Sequence, residues 1–319
     1  MHEFELINKY FSKLSKLSKS SLDLNDDVFF DKKKGLVISI DTYNEHVHFL
    51  DFKKPDLVIK KIIRSSISDL VCKGVLPKFY FISGSGNKKT FSKKNLLKIS
   101  KSLKHEQNKY KILLCGGDTT FSNKLSFSVT SVGYSNDIIY RNKAKNNDDI
   151  YVTGNLGDSF IGLQILKNKI KVQTKIKDYF VNKYYHPNIQ IKLTKTLFKY
   201  ANTSIDISDG LVADIDKMIN KQNLSYEINV GDVPISKNLL NLIKKKKLDK
   251  SNLISQGDDY QILFTASPIK ARIIRHTSKN LGIKITRIGK ITSGNKKSII
   301  IDQKGKQIVI KNKGYTHQF

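Results

Sequence analysis

At 319 residues and 39% apolar content the chain is long enough for one large or two ordinary domains, and no apolar run approaches the ~18 residues of a membrane span. A formal charge of +29 would ordinarily suggest nucleic acid or an anionic membrane. Of the 57 basic residues, however, only 5 are Arg, whose planar fork is the better reader of bases and phosphates, so neither partner is expected.

Lysines are spread along the chain, and the tightest runs, 32 to 34 and 244 to 247, lack the interleaved aromatics of a single-strand binder. Cys72 and Cys115 form neither a metal-ligand spacing nor a disulfide framework. The start reads as an amphipathic helix carrying acids, with no signal peptide, so a cytoplasmic location is the default expectation. The acids say more. Of 28, 23 are Asp, and Asp26, Asp27, Asp41, Asp69, Asp118, Asp206, Asp209, Asp258 and Asp259 lie in short motifs, several at the ends of apolar segments. In so basic a chain that clustering points to a cation site.

Residues 3 to 17 place Phe4, Ile7, Phe11 and Leu14 at helical spacing ahead of Asp26-Asp27. A buried strand from Leu36 ends in Asp41-Thr42, with His46 and His48 following; a lone histidine is more often structural. Residues 56 to 71 form a helix with Asp69 near its end, where an acid opposes the helix dipole. After a strand at 79 to 82, Gly-Ser-Gly-Asn-Lys-Lys-Thr at 84 to 90 lacks the glycines of a Walker A loop and reads as a turn. A helix through Leu96 and Leu103 leads to a strand from 111 to 115 and then Gly-Gly-Asp-Thr-Thr at 116 to 120, where the backbone can approach a phosphate or metal and Asp118 adds charge. Another strand spans 127 to 134.

The polar stretch 142 to 149 is the expected boundary between domains 1–148 and 149–319. Beyond it come a strand at 150 to 153, a tight turn, and a helix that Asp158 can cap. A helical stretch at 189 to 200 precedes Ile-Asp-Ile-Ser-Asp-Gly-Leu at 205 to 211. If 203 to 208 is extended, Asp206 and Ser208 share a face, a way to present the hard oxygen ligands that suit Mg²⁺. The alternative is that Ser208 or Asp209 merely caps the helix that follows. A lysine-rich helix, an acidic turn at 255 to 260 entering a strand, strands near 284 to 292 and 298 to 310, and a loose tail from Lys313 complete the chain.

The ordered set Asn-Asp-Asp at 25 to 27, Ser-Ile-Asp-Thr at 39 to 42, Val-His-Phe at 47 to 49, Ile-Ser-Asp-Leu at 67 to 70, Gly-Gly-Asp-Thr-Thr at 116 to 120, Tyr-Val-Thr-Gly at 151 to 154, the 205 to 211 motif, Gly-Asp-Asp-Tyr at 257 to 260 and Gly-Tyr at 314 to 315 resembles the thiamine-monophosphate kinases. These belong with aminoimidazole-ribotide and selenophosphate synthetases. The resemblance implies an α/β (α+β), two-domain fold of the aminoimidazole-ribotide-synthetase type, with an N-terminal sheet pairing across a homodimer. It implies transfer of the ATP γ-phosphoryl group to thiamine monophosphate. It further implies Asp27, Ser39, Asp41, Asp69, Asp118, Asp206 and Asp209 as ligands of several Mg²⁺ ions, with Asp118 and Asp209 catalytic. Gly117, Asp118, Arg141 and Ser208 become ATP contacts, and His48, Asp258 and Tyr315 substrate contacts. Asn25, Ile40 and Asp258 depart from the pattern, which has Gly, Thr and Glu there. The rival readings are another synthetase of that superfamily and a basic nucleic-acid-binding protein.

Overall fold

A computed structural model describes residues 3 to 310 and 312 to 316; the tail residues 317 to 319 named above lie outside them, as does the Phe4 side chain. Among the described residues twelve strands form two sheets. The first holds β1 (Phe29–Asp31), β2 (Leu36–Asn44), β3 (Pro77–Gly86), β4 (Leu113–Gly116), β5 (Thr119–Phe121) and β6 (Ser126–Tyr134), in the order β1-β2-β6-β3-β4 with β5 also on β3. The second holds β7 (Asp149–Thr153), β8 (Thr203–Asp206), β9 (Leu224–Asn229), β10 (Ile262–Ala266), β11 (Ile285–Ser293) and β12 (Ile299–Ile301), in the order β12-β9-β11-β7-β10-β8. β7 and β10 are buried along their whole length, which is why they read as continuous apolar runs without alternation.

Helix Pro55–Cys72 connects the two sheets. It is buried nearly all round, with Val58, Ile59, Ile62, Ile63, Ile67 and Leu70 packed and Lys61 and Arg64 buried as well. A helix so enclosed needs a partner for every charge it carries. Arg64 finds one in Glu106 of helix Lys93–Tyr110, donating from Nε at 2.8 Å and from Nη2 at 3.0 Å. At the helix's other end the Ser204 hydroxyl of β8 donates to the Cys72 carbonyl at 2.5 Å, so the helix C-terminus meets the edge strand of the second sheet.

Several expected elements differ. Gly84-Ser85-Gly86 is strand, with β5 on one side and β6 on the other, and the turn starts at Asn87. The glycines suit a strand because the Phe91 ring fills the space: a Cβ on either Gly84 or Gly86 would lie 3.1 Å from it. The strand expected over 298 to 310 stops at Ile301 and turns back through Asp302 and Gly305, whose φ is +76°, so that Ile308 N–H reaches the Ile300 carbonyl. The stretch expected as helix over 189 to 200 is helical only from Ile191 to Leu197. Asp158 does not cap its helix; its carboxylate accepts from Ser236 at 2.7 Å and Tyr179 at 2.8 Å. The N-terminal helical run over Glu3–Ser15 includes a π-turn at Ile7–Phe11 and leaves Phe11 and Leu14 exposed.

Candidate functional site

On β2 the pleat alternates, so Ser39, Asp41 and Tyr43 face helix Pro55–Cys72 while Ile40 turns to the opposite, exposed face. Asp69 comes from the last turn of that helix, Asp206 from the end of β8, and Asp26 and Asp27 from the turn before β1. Five carboxylates therefore converge where the two sheets meet. Burial pushes the Asp41 carboxyl up to about 6, against a Tyr43 hydroxyl donated at 3.1 Å. Burial and then the charges of Asp41 and Asp206 hold Asp69 well above the usual carboxylate range, and burial raises Asp206 as well. Oδ2 of Asp206 is buried and has no hydrogen-bond partner among the described residues. Such an oxygen, among like charges, is suited to a cation.

Ligand oxygens of Asp27 and Asp206 and the sulfur of Cys72 lie within 4.8 Å of one another. The donors that fit Mg²⁺ are the carboxylates, because that ion is hard and takes oxygen. Cys72 is a poor ligand for it: burial pushes its thiol well above the ordinary value, and it donates to the Asp69 carbonyl at 3.1 Å. Two cations already sit in this cluster. Lys73 Nζ is 2.6 Å from Asp26 and 3.3 Å from Asp27, and Arg141 forks onto Asp27 through Nε and Nη2 while its backbone N–H reaches Asp26 at 2.9 Å. The Ser39 hydroxyl is turned to the Ser66 carbonyl at 3.4 Å.

The 205 to 211 motif is extended only to Asp206, and Ser208 and Asp209 lie in a bend. Neither caps the helix Leu211–Met218, whose N-cap is Gly210. Asp214 reaches back instead, its carboxylate accepting the N–H groups of Asp209 and Gly210 at 3.0 Å each. The N–H groups at the N-cap and just before it are thereby met from inside the helix, and the Asp209 carboxylate is left to pair with Lys217. Residues 257 to 260 are laced to the same bend: Asp258 N–H donates to Ser208 O and Tyr260 N–H to Ile207 O, both at 2.8 Å. The tail expected to be loose is tied here too, with Tyr315 N–H on the Asp209 carbonyl at 3.0 Å and Ala213 N–H on the Lys313 carbonyl at 2.9 Å.

His48 and Asp258 are joined through two intermediaries. His48 Nδ1 accepts from Asn44 N–H at 3.0 Å and its ring stands edge-on to Tyr43. Tyr184 donates to the His48 carbonyl at 3.4 Å, Lys61 Nζ lies 3.8 Å from the centre of the Tyr184 ring, and the same ammonium is 2.7 Å from Asp258. Beside Asp258 is a pocket lined by Gly154, Ser159, Gln190, Asp259 and Gln261. His46, by contrast, serves the turn, its Nδ1 2.8 Å from the Leu50 carbonyl.

Asp118 and Gly117 stand apart. The β2, β6, β3 register puts Asp41 opposite Val129 and Ile82, with Gly117 packed on Ile82, so Asp118 lies about three strand spacings, roughly 14 Å, across the sheet from Asp41. A Cβ on Gly117 would fall 1.8 Å from the Ile82 carbonyl, so only glycine fits. Asp118 is exposed, and its carboxylate accepts Thr119 N–H at 2.7 Å. Sequence reading passed over Lys61, Lys73, Asp214 and Lys217. The lysines carried no signal in so lysine-rich a chain, whereas Asp214, one turn into the helix after Asp209, could have been read as a backward cap.

Residues 25 to 135 match the family model of the AIR synthase related protein, N-terminal domain. Over 328 residues the chain is 34% identical to the thiamine-monophosphate kinase of Buchnera aphidicola subsp. Schizaphis graminum (strain Sg), covering 99% of this chain and 98% of that one. The chain belongs to the thiamine-monophosphate kinase family. Among solved structures, AaThiL complexed with AMPPCP and TMP superimposes with a TM-score of 0.84 at 28% identity, covering 99% of this chain and 97% of the other. Thiamine monophosphate kinase from Aquifex aeolicus gives 0.81 at 28% identity, over 96% and 97%. The kinase family's fold is thus that of both sheets together.

Proposed function

We propose that the protein transfers the γ-phosphoryl group of ATP to thiamine monophosphate, giving thiamine diphosphate and ADP. The observation that carries this reading is the convergence of Asp27, Asp41, Asp69 and Asp206 at the meeting of the two sheets, with one buried carboxylate oxygen unpartnered. The related AaThiL structure, complexed with AMPPCP and TMP, supports both co-substrates. In this reading Asp27, Ser39, Asp41, Asp69, Asp118, Asp206 and Asp209 hold Mg²⁺. Bound there, Mg²⁺ supplies positive charge to the phosphate oxygens in place of a Walker A lysine.

The chain's own residues position and exclude. Arg141, whose Nε and Nη2 hold Asp27, lends its positive charge to an ATP phosphate beside it, and Gly117 and Ser208 offer that phosphate backbone and hydroxyl donors. Asp209 and Asp118 are the acids placed at the reacting phosphates. Lys61 fixes the Asp258 carboxylate, and His48 and Tyr315 complete the contacts to the thiamine moiety. Asp118 reaches the other acids only if ligands span the gap across the sheet or a second chain brings its own copy. We place the unit boundary at 148/149, the location in the cytoplasm, and a homodimer through the outer face of the first sheet, where Ile40 of β2, Phe81 of β3 and Leu113 of β4 are exposed. Among the described residues no helix is long and apolar enough to cross a membrane. The test is incubation with ATP, Mg²⁺ and thiamine monophosphate, with nucleotide and thiamine products resolved. ADP without thiamine diphosphate would contradict the acceptor.

Tyr315 gives a sharper check. Its backbone is tied to Asp209 and its side chain is half exposed beside the acidic bend, which puts part of the ring where a flat cationic ligand can reach it. An aromatic face attracts a cation by about 0.5 to 2 kcal/mol. Tyr315→Ala should therefore raise the KM for thiamine monophosphate roughly 2- to 30-fold and leave that for ATP unchanged. Tyr315→Phe should stay near the native value. Equal KM values in Tyr315→Ala and the native chain would remove Tyr315 from the substrate site.

A further inference from the structure

Lys73 is wholly buried, and its ammonium sits inside the acid cluster rather than at its rim. A buried ammonium has three hydrogens to place and is tolerated only when they are taken. Here three acceptors from two separate segments take them: Asp26 Oδ1 at 2.6 Å and Asp27 Oδ2 at 3.3 Å from the turn before β1, and the Ser204 carbonyl of β8 at 2.9 Å. The residue is also the C-cap of helix Pro55–Cys72, where the carbonyl end of the helix dipole favours positive charge. Oxygen atoms gathered from a turn and a strand are what a small cation site is made of, and the chain's own nitrogen, brought in from a helix end, occupies the centre of this one.

We propose that Lys73 is a built-in cation of the metal centre, holding Asp26 and Asp27 in place of one divalent ion, so that this chain binds fewer divalent ions than its carboxylates could support. The inference rests on the metal reading of the site given above. It divides the acids into two groups. Asp26 and Asp27 are neutralised by Lys73 and Arg141, whereas Asp41, Asp69 and the unpartnered oxygen of Asp206 are left for ions from solution. Asp27 is then a poorer Mg²⁺ ligand in this chain than its place in the motif implies. Lys73 acts as a positioning residue.

The experiment counts bound Mn²⁺ on the full chain by electron paramagnetic resonance and follows thermal unfolding with and without Mg²⁺, so that neither readout needs turnover. Lys73→Met removes the charge at similar length, and Lys73→Gln keeps a donor for the Ser204 carbonyl. Both should bind about one more Mn²⁺ per chain than the native protein. Both should also melt lower without divalent ion and recover more of their Tm on adding Mg²⁺ than the native protein gains. An equal, non-zero count in native and variant chains would overturn the assignment while leaving the metal centre standing. No Mn²⁺ on the native chain would overturn the metal reading and this inference with it. Failure of both variants to fold at any Mg²⁺ concentration would also contradict it, since a divalent ion should take the vacated position.

Discussion

Asp69→Asn should lose about 10²- to 10³-fold in turnover while its thermal stability holds or rises. The loss follows from removing a ligand of the charge that neutralises the transferring phosphates, an effect of several kcal/mol at about 1.4 kcal/mol per tenfold. The stability expectation has a separate source. Asp69 is crowded by Asp41 and Asp206, with only Lys73 opposing, so a neutral amide of the same shape relieves repulsion in the ligand-free protein. Asp209→Asn should lose turnover similarly. Its pair with Lys217 is mostly buried, but Lys217 keeps Asp214 at 3.2 Å, so the fold retains a partner for that ammonium. Turnover and melting, measured on the same preparations, separate the two roles: a fall in Tm together with activity in Asp69→Asn would make that acid structural.

The largest stability effect is expected at Glu106. Glu106→Ala leaves the Arg64 guanidinium, 4% exposed, without its carboxylate, and breaking a buried pair in this way costs about 3–5 kcal/mol. The denaturation midpoint should drop at unchanged slope, since the surface exposed on unfolding is the same. Burial pushes the Glu106 carboxyl up, but the hydrogen bonds and charge of Arg64 outweigh it, and the net shift is below the ordinary 4.5. The pair's contribution is therefore present above that ordinary value and is lost as pH falls through the lowered one. Acid titration of stability should show this loss in the native chain below about pH 4.5 and not in Glu106→Ala. A midpoint unmoved by Glu106→Ala would mean that the packing of helix Lys93–Tyr110 on helix Pro55–Cys72 does not depend on the pair.

What the sequence made legible was the acids and the strands that present them. Asp41 and Asp206 sit among the apolar residues of strands and Asp69 near the end of a buried helix, so hydrophobic periodicity locates the element and the acid stands out against it. The Gly84-Ser85-Gly86 stretch was misread because glycine content signals a turn, and only the Phe91 ring, placed by tertiary packing, explains glycines in a strand. Lys61 and Lys73 were illegible for a different reason. Their burial depends on Asp258, Asp26 and Asp27, which approach from distant segments, and nothing in the local sequence distinguishes a buried lysine from the many solvated ones. The cap reading of Ser208 and Asp209 is locally sound and fails because the N-cap position falls on Gly210, past both residues, while Asp214 holds the Asp209 and Gly210 N–H groups from within the helix.

The most direct test of the account follows the phosphorus. With ATP labelled at the γ position, Mg²⁺ and thiamine monophosphate, the label should appear in the terminal phosphate of thiamine diphosphate, in step with ADP. Label released only as inorganic phosphate, at the same rate with and without thiamine monophosphate, would contradict the account.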